Sequence, residues 1–202
     1  MSHTTTLRLR ASSRRSLFVG ALATLALAAC APITPRDTPR AAERPLMQAF
    51  LLEARLSATD GRQAASGRME WAHTPQADRL TLLSPLGQIV ARLDSGPDGA
   101  RLMSADGTRR EAPSADALLP DVLGVDVPSA RLPRWLQGAP DVDAQIRKLD
   151  ASGRPQLVID QGWRIDYLAY ASEDARALPA RLEITRGEAR IRLIIDAWTA
   201  LP

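Results

Sequence analysis

From Phe50 onward the chain repeats with a period of two: Phe50, Leu52, Ala54 and Leu56 alternate with Leu51, Glu53, Arg55 and Ser57. Successive side chains of a strand point to opposite faces, so this pattern dictates a sheet with one face buried. Asp60-Gly61 marks a turn, after which Gly67, Met69 and Trp71 begin a second alternation. Leu80 and Leu82 share a face of the next strand, and Ile89, Ala91 and Leu93 share one on the strand after it. Turn signals recur at Ser84-Pro85-Leu86-Gly87, Gly96-Pro97-Asp98-Gly99 and Asp106-Gly107. Short strands at such spacing indicate an antiparallel sandwich or barrel. Aromatic residues supply only 4% of the chain, so its core must come mostly from Leu, Val, Ile and Ala.

The period changes between Ser114 and Gly138. Leu118, Leu119, Val122 and Leu123 are spaced for one helical face, with Ser114 as its cap and Gly124 as its stop. Pro120 makes this helix short or irregular. Leu132, Trp135 and Leu136 repeat the spacing before Gly138, with Pro128 near the entry. Strands then resume at Ala144 to Leu149, Gln156 to Asp160, Trp163 to Tyr170, Arg181 to Thr185 and Ala189 to Trp198. A curved antiparallel sheet with short helices packed over one opening accounts for this order.

The N-terminal stretch sets a location. Arg8, Arg10, Arg14 and Arg15 precede the apolar run Leu17 to Leu27, and no acidic residue occurs before Asp37. A basic head, a short apolar middle and a small-residue end describe an export signal, and the run is too short for an ordinary membrane-spanning helix. Removing residues 1–29 leaves 22 basic residues against 23 acidic, so the overall excess of +3 belongs to the signal. A nucleic-acid partner therefore loses its motive. The general secretory route is expected, although Ser13-Arg14-Arg15-Ser16-Leu17 partly matches a twin-arginine signal.

Leu27-Ala28-Ala29-Cys30 resembles a bacterial lipobox, with Cys30 the single cysteine of the chain. That resemblance implies a diacylglyceryl thioether on Cys30, cleavage before it and acylation of the new amine. Two or more chains, at about 0.8 kcal/mol per buried methylene, hold a protein on a bilayer without spanning it. Ala31, rather than Asp, follows the cysteine, which in the enterobacterial sorting pattern favours the outer membrane. Pro32, Pro35, Pro39 and Pro45 then make residues 30–45 a tether, and the folded domain is expected over 46–202.

Motifs for bond chemistry are missing. The chain has no GxSxG elbow, phosphate-binding glycine loop or HExxH helix. One cysteine excludes a disulfide framework or a Cys-based zinc site, and two histidines, His3 and His73, leave little for another metal. No cofactor is expected. His73 beside Thr74-Pro75 reads as an exposed loop residue, and Asp160 with Asp166 is a weak candidate for an acid/base pair. Binding is better supported than catalysis.

Five segments then carry a more specific likeness. Trp71, Leu82-Leu83-Ser84-Pro85-Leu86-Gly87, Trp135-Leu136-Gln137-Gly138, Gln161-Gly162-Trp163-Arg164-Ile165-Asp166-Tyr167 and Ile191-Arg192-Leu193 to Trp198 together resemble the LolB family. The likeness covers roughly Phe50 to Trp198, in the family's order and behind a lipobox. It implies an incomplete antiparallel β-barrel enclosing an apolar cavity, with short helices as a lid. It also implies a monomeric outer-membrane receptor that takes acylated lipoproteins from the periplasmic carrier LolA and passes them into outer-membrane phospholipid. The alternative is a structural lipoprotein or assembly scaffold with a filled core.

In the family the leucine matching Leu86 projects from a loop and assists membrane delivery; an ordinary Leu in a turn would fold back onto the core. Trp71, Leu80, Leu82, Ile89, Leu93, Leu118, Val122, Leu132, Trp135, Trp163, Ile165 and Ile184 are the candidates for the cavity wall and lid.

Overall fold

A computed structural model describes residues 44–202. The signal, Cys30 and the tether up to residue 43 lie outside the described residues. The first six strands are β1 (Phe50–Thr59), β2 (Ala64–His73), β3 (Asp78–Leu83), β4 (Ile89–Gly96), β5 (Gly99–Ser104) and β6 (Arg109–Ala112). Two five-residue helices follow, α1 (Leu119–Leu123) and α2 (Leu132–Leu136), each entered through a 3-10 turn, Ala115–Ala117 and Ser129–Arg131. The chain closes with β7 (Gln145–Leu149), β8 (Pro155–Asp160), β9 (Trp163–Tyr170), β10 (Pro179–Arg186) and β11 (Ala189–Ala200).

All strands join one antiparallel sheet of eleven in the order β6-β5-β4-β3-β2-β1-β11-β10-β9-β8-β7. β1 therefore lies in the middle, paired with β2 on one side and β11 on the other. The chain runs outward by hairpins to the β6 edge, crosses through the helices, and returns from the β7 edge. The sheet does not close: β6 and β7 are its two free margins. Its ends differ. The β1–β2, β3–β4, β5–β6, β8–β9 and β10–β11 turns gather at one, here termed distal; β1 begins and β11 finishes at the other, the proximal end.

The inner face follows the alternation. Phe50, Leu52, Ala54, Leu56 and Ala58 of β1 are buried, as are Met69 and Trp71 of β2 and Leu80 and Leu82 of β3. Ile165 and Tyr167, Leu182 and Ile184, and Ile191 and Leu193 continue that face across β9, β10 and β11. The closest strand approach needs a glycine: a Cβ on Gly67 would stand 2.1 Å from the Leu83 carbonyl oxygen.

The helical region departs from its expected outline. A single helix from Ser114 is replaced by a 3-10 turn and then α1, because Pro120 occupies the first turn of α1, where a missing N–H costs nothing. Ser114 makes no capping hydrogen bond through its side chain. Gly124 does stop the helix, at φ +68° with its N–H donated to the Pro120 carbonyl. Pro133 likewise begins α2.

Two other expectations are corrected. His73 is not an exposed loop residue: it ends β2, its ring lies 4.9 Å from that of Phe50, and its Nδ1 lies 2.6 Å from Asp78 Oδ1. Asp160 and Asp166 form no pair. Asp160 is buried, whereas Asp166 lies on the outer face, bonded to Arg164 at 2.7 Å.

Candidate functional site: the interior beneath the helices

α1, α2 and the chain between them pack into the apolar interior of the sheet. Leu118, Leu119, Val122, Leu123, Val125 and Val127 from the first half, with Leu132, Trp135 and Leu136 from the second, join the strand residues in one continuous buried cluster. Eleven of the twelve cavity and lid candidates lie in it: Trp71, Leu80, Leu82 and Leu93; Leu118 and Val122; Leu132 and Trp135; Trp163, Ile165 and Ile184. Ile89 does not. Its sequence parity is that of Ala91 and Leu93, but a register shift at Leu82/Leu83 pairs it with Leu83 on the opposite face, and it is 47% exposed.

The second half of the helical insert is fastened by polar contacts. Trp135 donates its indole N–H to Asp160 Oδ2 at 2.7 Å, and the Tyr167 hydroxyl donates to the Trp135 carbonyl at 2.9 Å. Burial raises the Tyr167 pKa well above the ordinary phenol value, which keeps the hydroxyl a neutral donor. Gln137 accepts from the Met47 N–H at 2.8 Å and donates to the Met47 and Pro133 carbonyls. Arg131 reaches Asp141 at 2.8 Å, Asp143 at 3.0 Å and Asp160 at 3.8 Å. The Arg131 hydrogen bond holds the Asp143 carboxyl below the ordinary carboxylate range.

The first half is held differently. Its side chains bury apolar surface, but its polar ties are exposed: the Arg110–Asp121 ion pair, Arg186 to the Asp126 carbonyl at 3.3 Å, and Asp116, which accepts from the Ser129 N–H of the second half at 2.8 Å. Beneath Arg186 sits the Trp163 ring, 4.4 Å from the guanidinium carbon. Trp163 is fully buried, and its indole N–H has no partner among the described residues.

Sequence reasoning missed Arg131 and misjudged Asp160. Neither carries a local signal, since Trp135 and Asp160 meet across 25 residues of chain. A groove of about 940 Å³ also opens at the proximal end, but Asp78, Arg79, Asp94, Asp98, Arg101 and Glu111 line much of it. Such a wall solvates charge; it does not suit an acyl chain.

The Gly87 N–H donates to the Ser84 carbonyl at 2.9 Å, and Ser84 N–H to the Gln88 carbonyl at 2.8 Å, closing the β3–β4 turn. Pro85 suits its second position, and Gly87 takes φ +81°. Leu86 at the tip is 88% exposed, so it does not fold back onto the core.

Among the described residues no group of three or more His, Cys, Asp or Glu side chains is placed to hold a metal ion, and no helix is long and apolar enough to cross a membrane. The site thus defines an apolar-lined, half-open barrel with a helical cover.

Residues 48–198 match the family model described as outer membrane lipoprotein LolB. An outer-membrane lipoprotein LolB of Azoarcus sp. (strain BH72) is 54% identical over 187 residues, covering 91% of this chain and 96% of that protein. One from Thiobacillus denitrificans is 39% identical over 192 residues, 94% of this chain and all of its own length. A solved LolA superfamily protein from Nitrosomonas europaea overlays 79% of this chain and 89% of its own, with 9% identity and a TM-score of 0.48. The chain belongs to the LolB family.

Proposed function

We propose that this protein is an outer-membrane-anchored receptor. It accepts the acyl chains of lipoproteins from the periplasmic carrier LolA into the interior beneath its helices, and then delivers them to outer-membrane phospholipid. The observation that carries this reading is a continuous apolar interior roofed by helices that are fastened strongly on one side only. Membership of a family of outer-membrane lipoproteins supports the location. In the proposal, residues 1–29 are the signal, Cys30 carries the lipid, 30–45 form the tether, 46–202 form the receiving domain, and Leu86 leads delivery.

The physical need is plain. Each exposed methylene costs about 0.8 kcal/mol in water, so chains must pass between shielded environments. α1 packs against β2, and the 3-10 turn before it packs against β4 and β5, so displacing them together would uncover inner-face side chains of those strands such as Leu93 and Leu102. No bond is made or broken, and transfer runs downhill if the chains bind better here than to the carrier and better still in the bilayer.

The burial of the inner-face side chains fits one rival as well, a scaffold lipoprotein whose core never opens. A fluorescent acyl-probe titration separates the two. Saturable, stoichiometric binding is expected; a protein that takes up no probe at any concentration is the scaffold instead.

A further inference from the structure

The distal end carries more apolar surface than Leu86 alone. Ile89 is 47% exposed, and Val90 and Met103 are each 40% exposed, on the strands that follow the Leu86 turn. Val90 accepts from the Ala105 N–H at 2.8 Å, which joins the β3–β4 tip to the next distal turn. Met103 stands in register between Arg92 of β4 and Arg109 of β6. Arg68 of β2 stands in register with Leu83, which in turn pairs with Ile89.

Arg68, Arg92 and Arg109 are exposed, and none forms an ion pair with a described residue. Their neighbours toward the proximal end behave otherwise: Arg79 pairs with Asp94 at 2.5 Å and Arg101 with Glu111 at 2.8 Å. Two acidic groups lie nearby. Glu70 is two strands from Arg92 across Thr81, and Asp106 accepts from the Thr108 backbone N–H at 2.8 Å. The basic side chains thus point outward with their charge uncommitted, directly behind an apolar tip.

We infer that the β3–β4 tip and this arginine collar form one docking surface for an anionic phospholipid bilayer. The inference rests on the proposed role of Leu86 and adds a lipid class to it. Strands advance about 3.3 Å per residue, which puts Arg92 roughly 13 Å behind Leu86. An interfacial element buries its apolar face about 5–10 Å into the headgroup and acyl boundary. With Leu86, Ile89 and Val90 at that depth, Arg92 and Arg109 reach the level of lipid phosphates, which guanidinium groups grip through paired hydrogen bonds.

The test is vesicle flotation of the polypeptide from residue 30 with Cys30→Ala, which keeps every described residue and removes the acyl anchor from the readout. Vesicles of phosphatidylcholine alone are compared with vesicles also carrying phosphatidylglycerol, at low and high salt. The unaltered collar should bind anionic vesicles more tightly, and salt should erase the difference. An arginine near an anionic surface is worth roughly a fivefold change in partitioning. Arg92→Gln/Arg109→Gln should therefore lose on the order of 25-fold on anionic vesicles and nothing on neutral ones, with unchanged thermal melting. Leu86→Glu should weaken binding to both. A double variant that still prefers anionic vesicles overturns the collar, as does a parent protein with no such preference. Normal binding by Leu86→Glu overturns the Leu86 reading while leaving the arginine result to stand or fall separately.

Discussion

The two halves of the helical insert are alike in sequence style and opposite in attachment. Each is a 3-10 turn running into a five-residue helix with proline in its first turn. Yet α2 is bound by a buried Trp135–Asp160 hydrogen bond, a Tyr167 hydroxyl and the Arg131 carboxyl cluster, whereas α1 relies on apolar contact and one exposed ion pair. Buried polar bonds have directional geometry and are costly to leave unmade. Apolar contact is non-directional and can be exchanged for contact with an acyl chain. A cover with one committed side and one exchangeable side can open without detaching.

The largest expected effect breaks the committed side. Trp135→Phe leaves Asp160 buried without its indole donor and should cost about 1–3 kcal/mol more than the size change alone. Trp163→Phe supplies the control for size, because its N–H has no partner to lose. Urea denaturation of the two variants should therefore separate them by that margin. Equal losses would mean that the Trp135 bond adds no fastening.

A smaller effect is expected on the other side. Arg110→Ala removes the exposed tie to Asp121, and such pairs are worth at most about 1 kcal/mol. Its melting should barely move while acyl-probe uptake becomes faster. A variant with unchanged uptake would place the moving part elsewhere.

Acid should act last and least, on the Arg131 cluster. The Asp143 pKa is lowered by its hydrogen bond to Arg131, so the carboxyl contributes stability above its unfolded pKa near 3.9 and loses it as pH falls through the lower folded value. Below about pH 4 the α2 side should loosen, as read by hydrogen exchange at Arg131 to Gln137. Asp143→Asn should flatten that dependence.

Much of this arrangement could be read from residues alone, because alternation and turn chemistry are local. β9 coincides with its expected span, and β7, β8, β10 and β11 lie within two residues of theirs at each end. The closure of β11 onto β1 could not be read, since strand order depends on pairings such as Leu56 with Leu193, which leave no trace in either strand. Ile89 shows the limit of parity: a register shift at Leu82/Leu83 pairs it with Leu83 instead of a core residue, and alternation read along one strand carries no sign of that shift. His73 was misplaced because Thr74-Pro75 signals a turn without saying on which side of it the histidine lies. Trp135 and Trp163 were both legible as apolar. That only one of them has a hydrogen-bond partner depends on Asp160 arriving from another strand.

The most direct measurement is transfer of an acylated lipoprotein from a loaded LolA to the purified protein, with no nucleotide and no membrane present. Cargo should move onto this protein and co-purify with it in equal amounts, and addition of phospholipid vesicles should then release it. Cargo that stays on LolA, while the protein remains folded and monomeric, would contradict the receiving interior outright.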